Sequence, residues 1–427
     1  MWTFETDRDY QDKLDWAREF VRDEVEPLDH VLDSPFDVAN PRNIALVRPL
    51  QRKVREQELW ACHLGPELGG RGYGQLKLAL LNEVIGISRF GPTVFGCQAP
   101  DSGNGEILAH YGTEDQKARY LRPLLDGEIV SAFSMTEPAG GSDPTQFTCR
   151  ARREGDHWVL SGEKWFTSNA GYASFLIIMA VTDPDAAPHR RMSMFVIPTD
   201  TPGVEIVRQV GYPGEEGAAR HSYMRYNDVV ITDDQMLGGP GDGFAVAQTR
   251  LGGGRIHHAM RTLAVARRAF DMLCQRALSR TTQGSLLSQK QLTQEKIADS
   301  WIELEQFRLL VLQTAWKIDK YNDYRKVRHD ISMVKVQMAK VLHDIAARAL
   351  MIHGSLGLSD ELPISRMLLE SFHVGLADGA SEVHKITIAR QLLRDYAPYD
   401  GTFPPYLLHD VRQAAHAKYG DALASAE

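Results

Sequence analysis

Long apolar runs are missing from this chain. None reaches the length that crosses a bilayer, so no membrane insertion is expected. Cysteine is scarce. The four present, Cys62, Cys97, Cys149 and Cys274, are widely spread and form neither a CxxC pair nor a disulfide framework, which fits reduced, buried thiols in a cytoplasmic protein. Excess positive charge is missing too: 48 Lys and Arg against 56 Asp and Glu leave a formal charge of −8. That sign argues against a general nucleic-acid or anionic-membrane binder, although a local basic pocket can still hold a phosphorylated ligand. No metal-ligand spacing is found, since the adjacent His257 and His258 cannot place both rings on one helix face. Internal repeats and low-complexity tracts are also lacking. The first stretch, "MWTFETDRDYQDKLDWAREFVRDEVEPLD", is acidic and helix-patterned, unlike a secretory or transit leader, and the closing "ASAE" is not a peroxisomal address.

What is there is the composition of an ordinary globular protein, 43% apolar and 24% charged, in 427 residues, more than one core usually serves. Apolar spacing of three to four marks helices from Thr6 to about Asp126, in "YQDKLDWAREFVRDEV", "IALVRPLQRKVREQELW", "QLKLALLNEVIGISRF" and "DQKARYLRPLLDG". From about Val130 to Gly238 the pattern turns to short β-rich runs: "HWVLSGEKWFTS", "SFLIIMAVT", "RMSMFVIPT", "GVEIVRQV" and "YMRYNDVVI". Long helical segments return at roughly Phe244–Arg280, Leu287–Asn322, Val327–Gly354 and Ser381–Asp395, the lengths of an antiparallel bundle. The expectation is an α+β multidomain protein: an all-α domain (1–129), a middle β-barrel or sandwich (130–240), a C-terminal helical bundle (241–400) and a tail (401–427). Helices, then strands, then helices do not favour a doubly wound sheet.

Two polar clusters stand out. "SAFSMTEPAGGSDPT" (131–145) crowds Ser134, Thr136, Gly140, Gly141 and Ser142, small residues and hydroxyls that let a polar ligand approach the backbone; a domain-linking loop is the plain alternative. In "GEKWFTSNAG" (162–171), Trp165 and Phe166 precede Thr167, Ser168 and Asn169, and a flat ring beside hydroxyls suits a planar cofactor as well as it suits a core. Near the end, "LADGASEVH" places Asp378 on a Gly-flanked turn, a common surface pair. The run Gly252–Gly254 inside a helical segment costs about 1 kcal/mol per glycine relative to alanine, so something must approach the backbone there.

Taken with "PELGGRGYG", "YGTEDQKARYLRPLLDG", "GGGRIHHAMR", "SRTTQG" and "ADGASEVH" before "IARQLL", these stretches resemble the acyl-CoA dehydrogenase family over nearly the whole chain. "ADG", "EVH" and the Gln98–Asp101 stretch of "CQAPDSGN" look most like the subgroup of acyl-CoA dehydrogenase family members ten and eleven. The resemblance implies a helical domain, a β-domain and a four-helix bundle holding FAD between domains and across a subunit interface. It further implies an acyl-CoA substrate, an electron-transfer flavoprotein or similar acceptor, and a homodimer or homotetramer.

Carried over by position, Phe133, Met135, Thr136, Gly141 and Ser142 would line the isoalloxazine ring, with Phe166 and Ser168 covering it. Arg280 and Gln291 would reach the FAD of an adjoining subunit, and His353, Gly354, Ala380 and Glu382 complete the implied cofactor set. Ser142, Gly254, Arg255 and Gly379 are the implied substrate contacts, with the acyl-pantetheine arm as the visitor to the glycine run. Met351 departs from the glutamine frequent in the family, Phe166 from tryptophan, and Gly252 from an acid near CoA. His257 and His258 are candidates for contact with a polar acyl group, although a satisfied wall histidine is the plainer reading; "PHRRMS" reads as a solvated basic loop.

Asp378 aligns with the family's base, which takes the α-proton of an acyl thioester while the β-hydrogen leaves as hydride to flavin N5. Burial is expected to raise its pKa, and its own backbone N–H with a flavin ribityl hydroxyl would hold the developing enolate oxygen. Most relatives use glutamate here. Aspartate is shorter by roughly 1.5 Å of C–C reach, which keeps open a flavin oxidase of the nitroalkane oxidase kind, or a catalytically silent member of the fold.

Overall fold

The computed structural model describes residues 6–68, 70–212 and 221–425. Its chain forms two compact units, Met1–Lys385 and Ile386–Glu427. In the first, α1 (Arg8–Phe20) starts at Asp7, whose side chain accepts from Tyr10 N, and buries Tyr10, Leu14, Ala17 and Phe20 along one stripe. Tyr10 Oη donates to Lys77 O at 2.8 Å, tying α1 to α3 (Gly74–Ile85) across α2 (Pro41–Glu56) in sequence. Next, α4 (Asp101–Tyr111) is unusual in burying Asp101, Ser102 and Asn104 beside Ile107 and Leu108.

Seven strands make one sheet: β1 (Ser131–Ser134), β2 (Arg150–Glu154), β3 (His157–Ser168), β4 (Phe175–Val181), β5 (Met192–Pro198), β6 (Val204–Gln209) and β7 (His221–Thr232). The order is β1-β4-β2-β3-β7-β6, with β5 also on β4; β1 runs parallel to β4 and β3 antiparallel to β7. Leu160, Leu176, Ile178, Phe195, Met224 and Val229, from four strands, meet in one apolar cluster. The sheet therefore curls around its own inner face rather than splitting into two stacked layers. The opposite residues of β4 and β5, Phe175, Ile177, Met179, Met194 and Val196, pack with Ile107, Leu108 and Val246. Burial on both faces explains why these strands read as unbroken apolar runs.

The helical bundle consists of α5 (Gly243–Ser279), α6 (Gln291–Tyr321), α7 (Arg328–His353) and α8 (Ile364–Leu376). Met260, Phe307, Val311, Val334, Met338 and Leu342 share one core with Leu14, Leu81, Phe90 and Phe95 of the first helices. The "SRTTQG" stretch lies in a hairpin of β8 (Thr281–Thr282) and β9 (Ser285–Leu286), with Gln283 and Gly284 both at positive φ as a tight two-residue turn requires. Helix α9 (Ser381–Leu392) follows the Asp378 turn. In the second unit, α10 (Leu408–Ala424) buries no residue, and Tyr396, Phe403, Tyr406 and Leu408 are exposed. No helix among the described residues is long and apolar enough to cross a membrane.

Candidate active site

Helix α8 ends at Ala377, and Asp378 and Gly379 turn the chain with φ of 54° and 101° before α9 begins. Aspartate tolerates this left-handed conformation better than most residues. The turn is not a surface feature. Arg255 Nε donates to the Asp378 carbonyl at 2.9 Å, and the Asp378 side chain is only 17% exposed. Its Oδ2 lies 3.5 Å from His258 Nε2 and its Oδ1 4.0 Å from Arg250 Nη1. A Cβ on Gly254 would sit 3.3 Å from Oδ2. The Asp378 N–H makes no backbone hydrogen bond among the described residues, which leaves it free to donate elsewhere.

Burial alone would push the Asp378 carboxyl up, as the sequence argument expected. The outcome is the reverse: His258, Arg250, Arg255 and Lys335 together hold it below the ordinary carboxylate value. Opposite charges at this range outweigh desolvation. Burial also drives His258 down to about 4 and Lys335 down to about 8, while Lys335 Nζ donates to Val374 O at 2.5 Å. His258 is therefore neutral at pH 7, and the two arginines with Lys335 are the standing charges around Asp378. His257, one residue away, faces elsewhere and hydrogen-bonds Gln75 Oε1 at 2.9 Å.

The glycine run is approached by the protein itself, which corrects the expectation of a bound acyl arm at Gly252 and Gly253. A Cβ on Gly252 would meet the Tyr324 ring at 3.1 Å, and one on Gly253 would meet Glu106 Oε2 at 2.8 Å and Tyr324 Oη at 3.0 Å. Only Gly254 faces Asp378. Sequence reasoning did not single out Glu106, Tyr324, Arg250, Asn104 or Lys335 as parts of the site. The one available signal was the polar set Asp101, Ser102 and Asn104 on a helix whose neighbours are apolar.

On the sheet side, the signature loop is tightly fastened. Lys164, fully buried, donates to Met135 O at 2.8 Å and to Glu137 Oε1 at 2.9 Å, and Glu137 also accepts from Thr148 N, Thr148 Oγ1 and Cys149 N. Trp165 N donates to Thr136 O at 2.8 Å. The ladder between β3 and β7 shifts register between Lys164 and Thr167, and Phe166 there has φ 55°. Its ring is stacked on Tyr212 at 5.7 Å with 8° between the planes. Ser168 Oγ pairs with His221 Nδ1 at 2.9 Å.

Across most of its length, this chain matches the acyl-CoA dehydrogenase N-terminal domain (residues 7–128), middle domain (132–229) and C-terminal domain (241–393). The chain belongs to the acyl-CoA dehydrogenase family. It is 41% identical over 81% of its length to "Probable acyl-CoA dehydrogenase FadE2" of Mycobacterium tuberculosis, covering 85% of that protein. It is 40% identical over 81% of its length to acyl-CoA dehydrogenase family member 11 of Gallus gallus, and spans 45% of that longer protein. The solved structure of a protein assigned as an acyl-CoA dehydrogenase from Mycobacterium abscessus superposes with a TM-score of 0.85 at 36% identity, covering 92% of this chain and 100% of that one. The protein is thus an oxidoreductase of the acyl-CoA dehydrogenase kind.

The residues fit a flavin. Phe166 is a flat ring with one face on Tyr212, near the end of β3, and a Cβ on Gly141 would meet nothing within 4 Å, so the loop leaves its backbone open. Ser142 is exposed on the same loop, while Asp143 caps the following turn through Thr145 N. "PHRRMS" is not free: Arg191 Nη1 donates to Thr145 O at 3.1 Å, Arg190 pairs with Asp242 at 2.7 Å, and His189 stacks on Phe244 at 4.3 Å. Pro188, His189 and Arg190 stay exposed, as expected of a solvated loop. Gly379 sits where a Cβ would come 3.0 Å from His384 Nε2, and Ala380 and Glu382 begin α9 next to the base.

Other expected contacts lie far from Asp378. Arg280 caps α5 thirty residues beyond Arg250, about 45 Å along the helix. Gln291 opens α6 beside that end. His353, whose Nδ1 donates to Ala349 O at 2.8 Å, ends α7 about 27 Å along the helix from Lys335, followed by Gly354 at φ 66°. No cluster of three or more His, Cys, Asp or Glu among the described residues is placed to hold a metal.

Proposed function

We propose that this protein desaturates an acyl-CoA thioester at Cα–Cβ, with Asp378 as the base that takes the α-proton. The observation that carries this reading is the buried Asp378 carboxylate, turned by a left-handed backbone toward the side-chain-free face of Gly254 and walled by Arg255, His258 and Arg250. A largely buried carboxylate kept ionised is ready to accept a proton, and its neighbouring backbone N–H suits the oxygen on which charge develops. FAD, when bound, supplies the two-electron oxidant for the β-hydrogen. Phe133, Met135, Thr136, Gly141, Ser142, Phe166 and Ser168 form its ring site, and Ser142, Gly254, Arg255 and Gly379 contact the thioester.

Arg280, Gln291, His353 and Gly354 lie too far along their helices to serve that same ring site. Their role is on the FAD of a second subunit, in a homodimer or homotetramer. Electrons then pass to an electron-transfer flavoprotein or similar acceptor, in a cytoplasmic setting that fits four free thiols. One observation favours the alternative oxidase reading: cations that lower the pKa of Asp378 make it a weaker base, better matched to a carbon acid such as a nitroalkane.

The test is an anaerobic visible-absorbance titration of the FAD-bound protein with straight, branched and hydroxylated saturated acyl-CoAs. Bleaching of the flavin band by one class identifies the substrate. No bleaching by any CoA ester, together with rapid oxygen consumption on a nitroalkane, overturns the desaturase reading.

A further inference from the structure

Arg250 walls Asp378 in the reading above, and its own side chain is held by polar and apolar neighbours. Its side chain is 12% exposed, its guanidinium lies 4.0 Å over the Phe133 ring, and its Nε donates to Asn104 Oδ1 at 2.8 Å. Asn104 is wholly buried, and its amide is committed: Nδ2 donates to Ser131 Oγ at 2.9 Å, so Oδ1 must face the arginine. Ser131 in turn donates from Oγ to Asp101 Oδ1 at 2.5 Å and from its backbone N at 2.8 Å, while Gln98 Nε2 holds the other Asp101 oxygen at 3.1 Å. Gly103 completes the fit, since a Cβ there would come 3.0 Å from Arg250 Cγ. A continuous buried chain, Asp101–Ser131–Asn104–Arg250, therefore ends with its Nη edge toward the Asp378 carboxylate.

We propose that Arg250 is a positioning residue for this reaction: fixed by the Asp101–Ser131–Asn104 chain and laid on Phe133, it holds the Asp378 carboxylate ionised and aimed between the flavin-facing strand and the Gly254 face. The proposal rests on the assignment of Asp378 as the base. Other charged or titratable groups face Asp378 from every side: Arg255, His258 and Arg261 on α5, Lys335 on α7 and His384 on α9. Asp101 and Glu106 on α4 face Arg250 itself. Among the cations, Arg250 alone spans from the carboxylate to Phe133 on β1, so it is the one that links the base to the ring site.

The experiment is the pH dependence of anaerobic flavin reduction, by stopped flow on the FAD-bound protein with the best acyl-CoA of the titration. Arg250→Met removes the charge and keeps the length, so the acid limb of the rate profile should move up by about one pH unit or more, the size an opposite charge at this distance imposes. Arg250→Lys should leave the limb near its wild-type position. Asn104→Leu, which removes only the acceptor of Nε, should move it in the same direction by less, and serves if Arg250→Met does not hold FAD. An acid limb unmoved in both variants, with FAD content and circular dichroism intact, overturns the proposal. Asp378→Asn separates the two ideas: flavin reduction persisting in it refutes the base, whereas an inert Asp378→Asn with an unmoved limb in Arg250→Met refutes Arg250 alone.

Discussion

The two walls of the site are built on opposite principles. On the sheet side, the signature loop is held by neutralised and satisfied groups: Lys164 and Glu137 cancel each other in a dry interior, and every oxygen of that carboxylate has a donor. On the bundle side, one carboxylate faces the standing cations Arg250, Arg255 and Lys335, with Arg250 Nη1 at 4.0 Å and the neutral His258 ring at 3.5 Å. The first arrangement has no charge left to give and serves as a fixed mould. The second is a set of charges waiting to be redistributed when a thioester or a proton enters, which is the property a base needs.

Breaking the mould should cost most. Lys164→Met leaves Glu137 buried without its partner and should destabilise the protein by about 3–5 kcal/mol, read by urea unfolding, whereas a loss under 1 kcal/mol would show that the pair is not structural. The next effect sharpens the contrast through pH. Burial pushes Asp101 up to about 6 and Glu106 up to about 7. Such groups bind their proton more tightly folded than unfolded, so their stabilisation is present at low pH and is lost as pH rises through those values. The wild type should therefore lose on the order of 2 kcal/mol between pH 5 and 8, and Glu106→Gln should flatten the curve. Parallel thermal-unfolding curves for the two proteins would contradict it.

A smaller change probes the glycine run. Gly253→Ala puts a methyl group 2.8 Å from Glu106 Oε2 and 3.0 Å from Tyr324 Oη, and should cost about 1–2 kcal/mol by overpacking, offset in part by better helix propensity. A gain in stability would mean that Tyr324 moves aside freely. Smallest of all, Arg190→Ala breaks an exposed pair with Asp242 and should change stability by less than about 1 kcal/mol in the same assay.

How much of this was legible before the structure follows from range. Strands β4 and β5 announced themselves because both faces are buried, and α5, α6 and α7 matched their spacing within a few residues, whereas the fourth bundle helix is α8 and not the expected Ser381–Asp395 segment. Strand β2, "RARRE", did not, since only Ala151 is buried and the rest is charged surface. Strand β1 is four residues long and finds its partner β4 more than forty residues later. Helix α8 is short and follows a proline, which hid its Ile364, Met367, Ser371 and Val374 stripe. Asp378, Gly254 and Arg255 were legible as a set through the family resemblance, and they do meet. The direction of the Asp378 shift was not, because its cations come from helices more than seventy residues apart in sequence, and local pattern cannot sum charges across space.

The central claim is that Asp378 is the proton acceptor. The most direct measurement is the single-turnover rate of anaerobic flavin reduction in Asp378→Asn against the wild type, with equal FAD content in both. The account predicts a loss of about 100-fold or more, the span of general-base catalysis, with the flavin spectrum and fold retained. A rate within a factor of three of the wild type would contradict it.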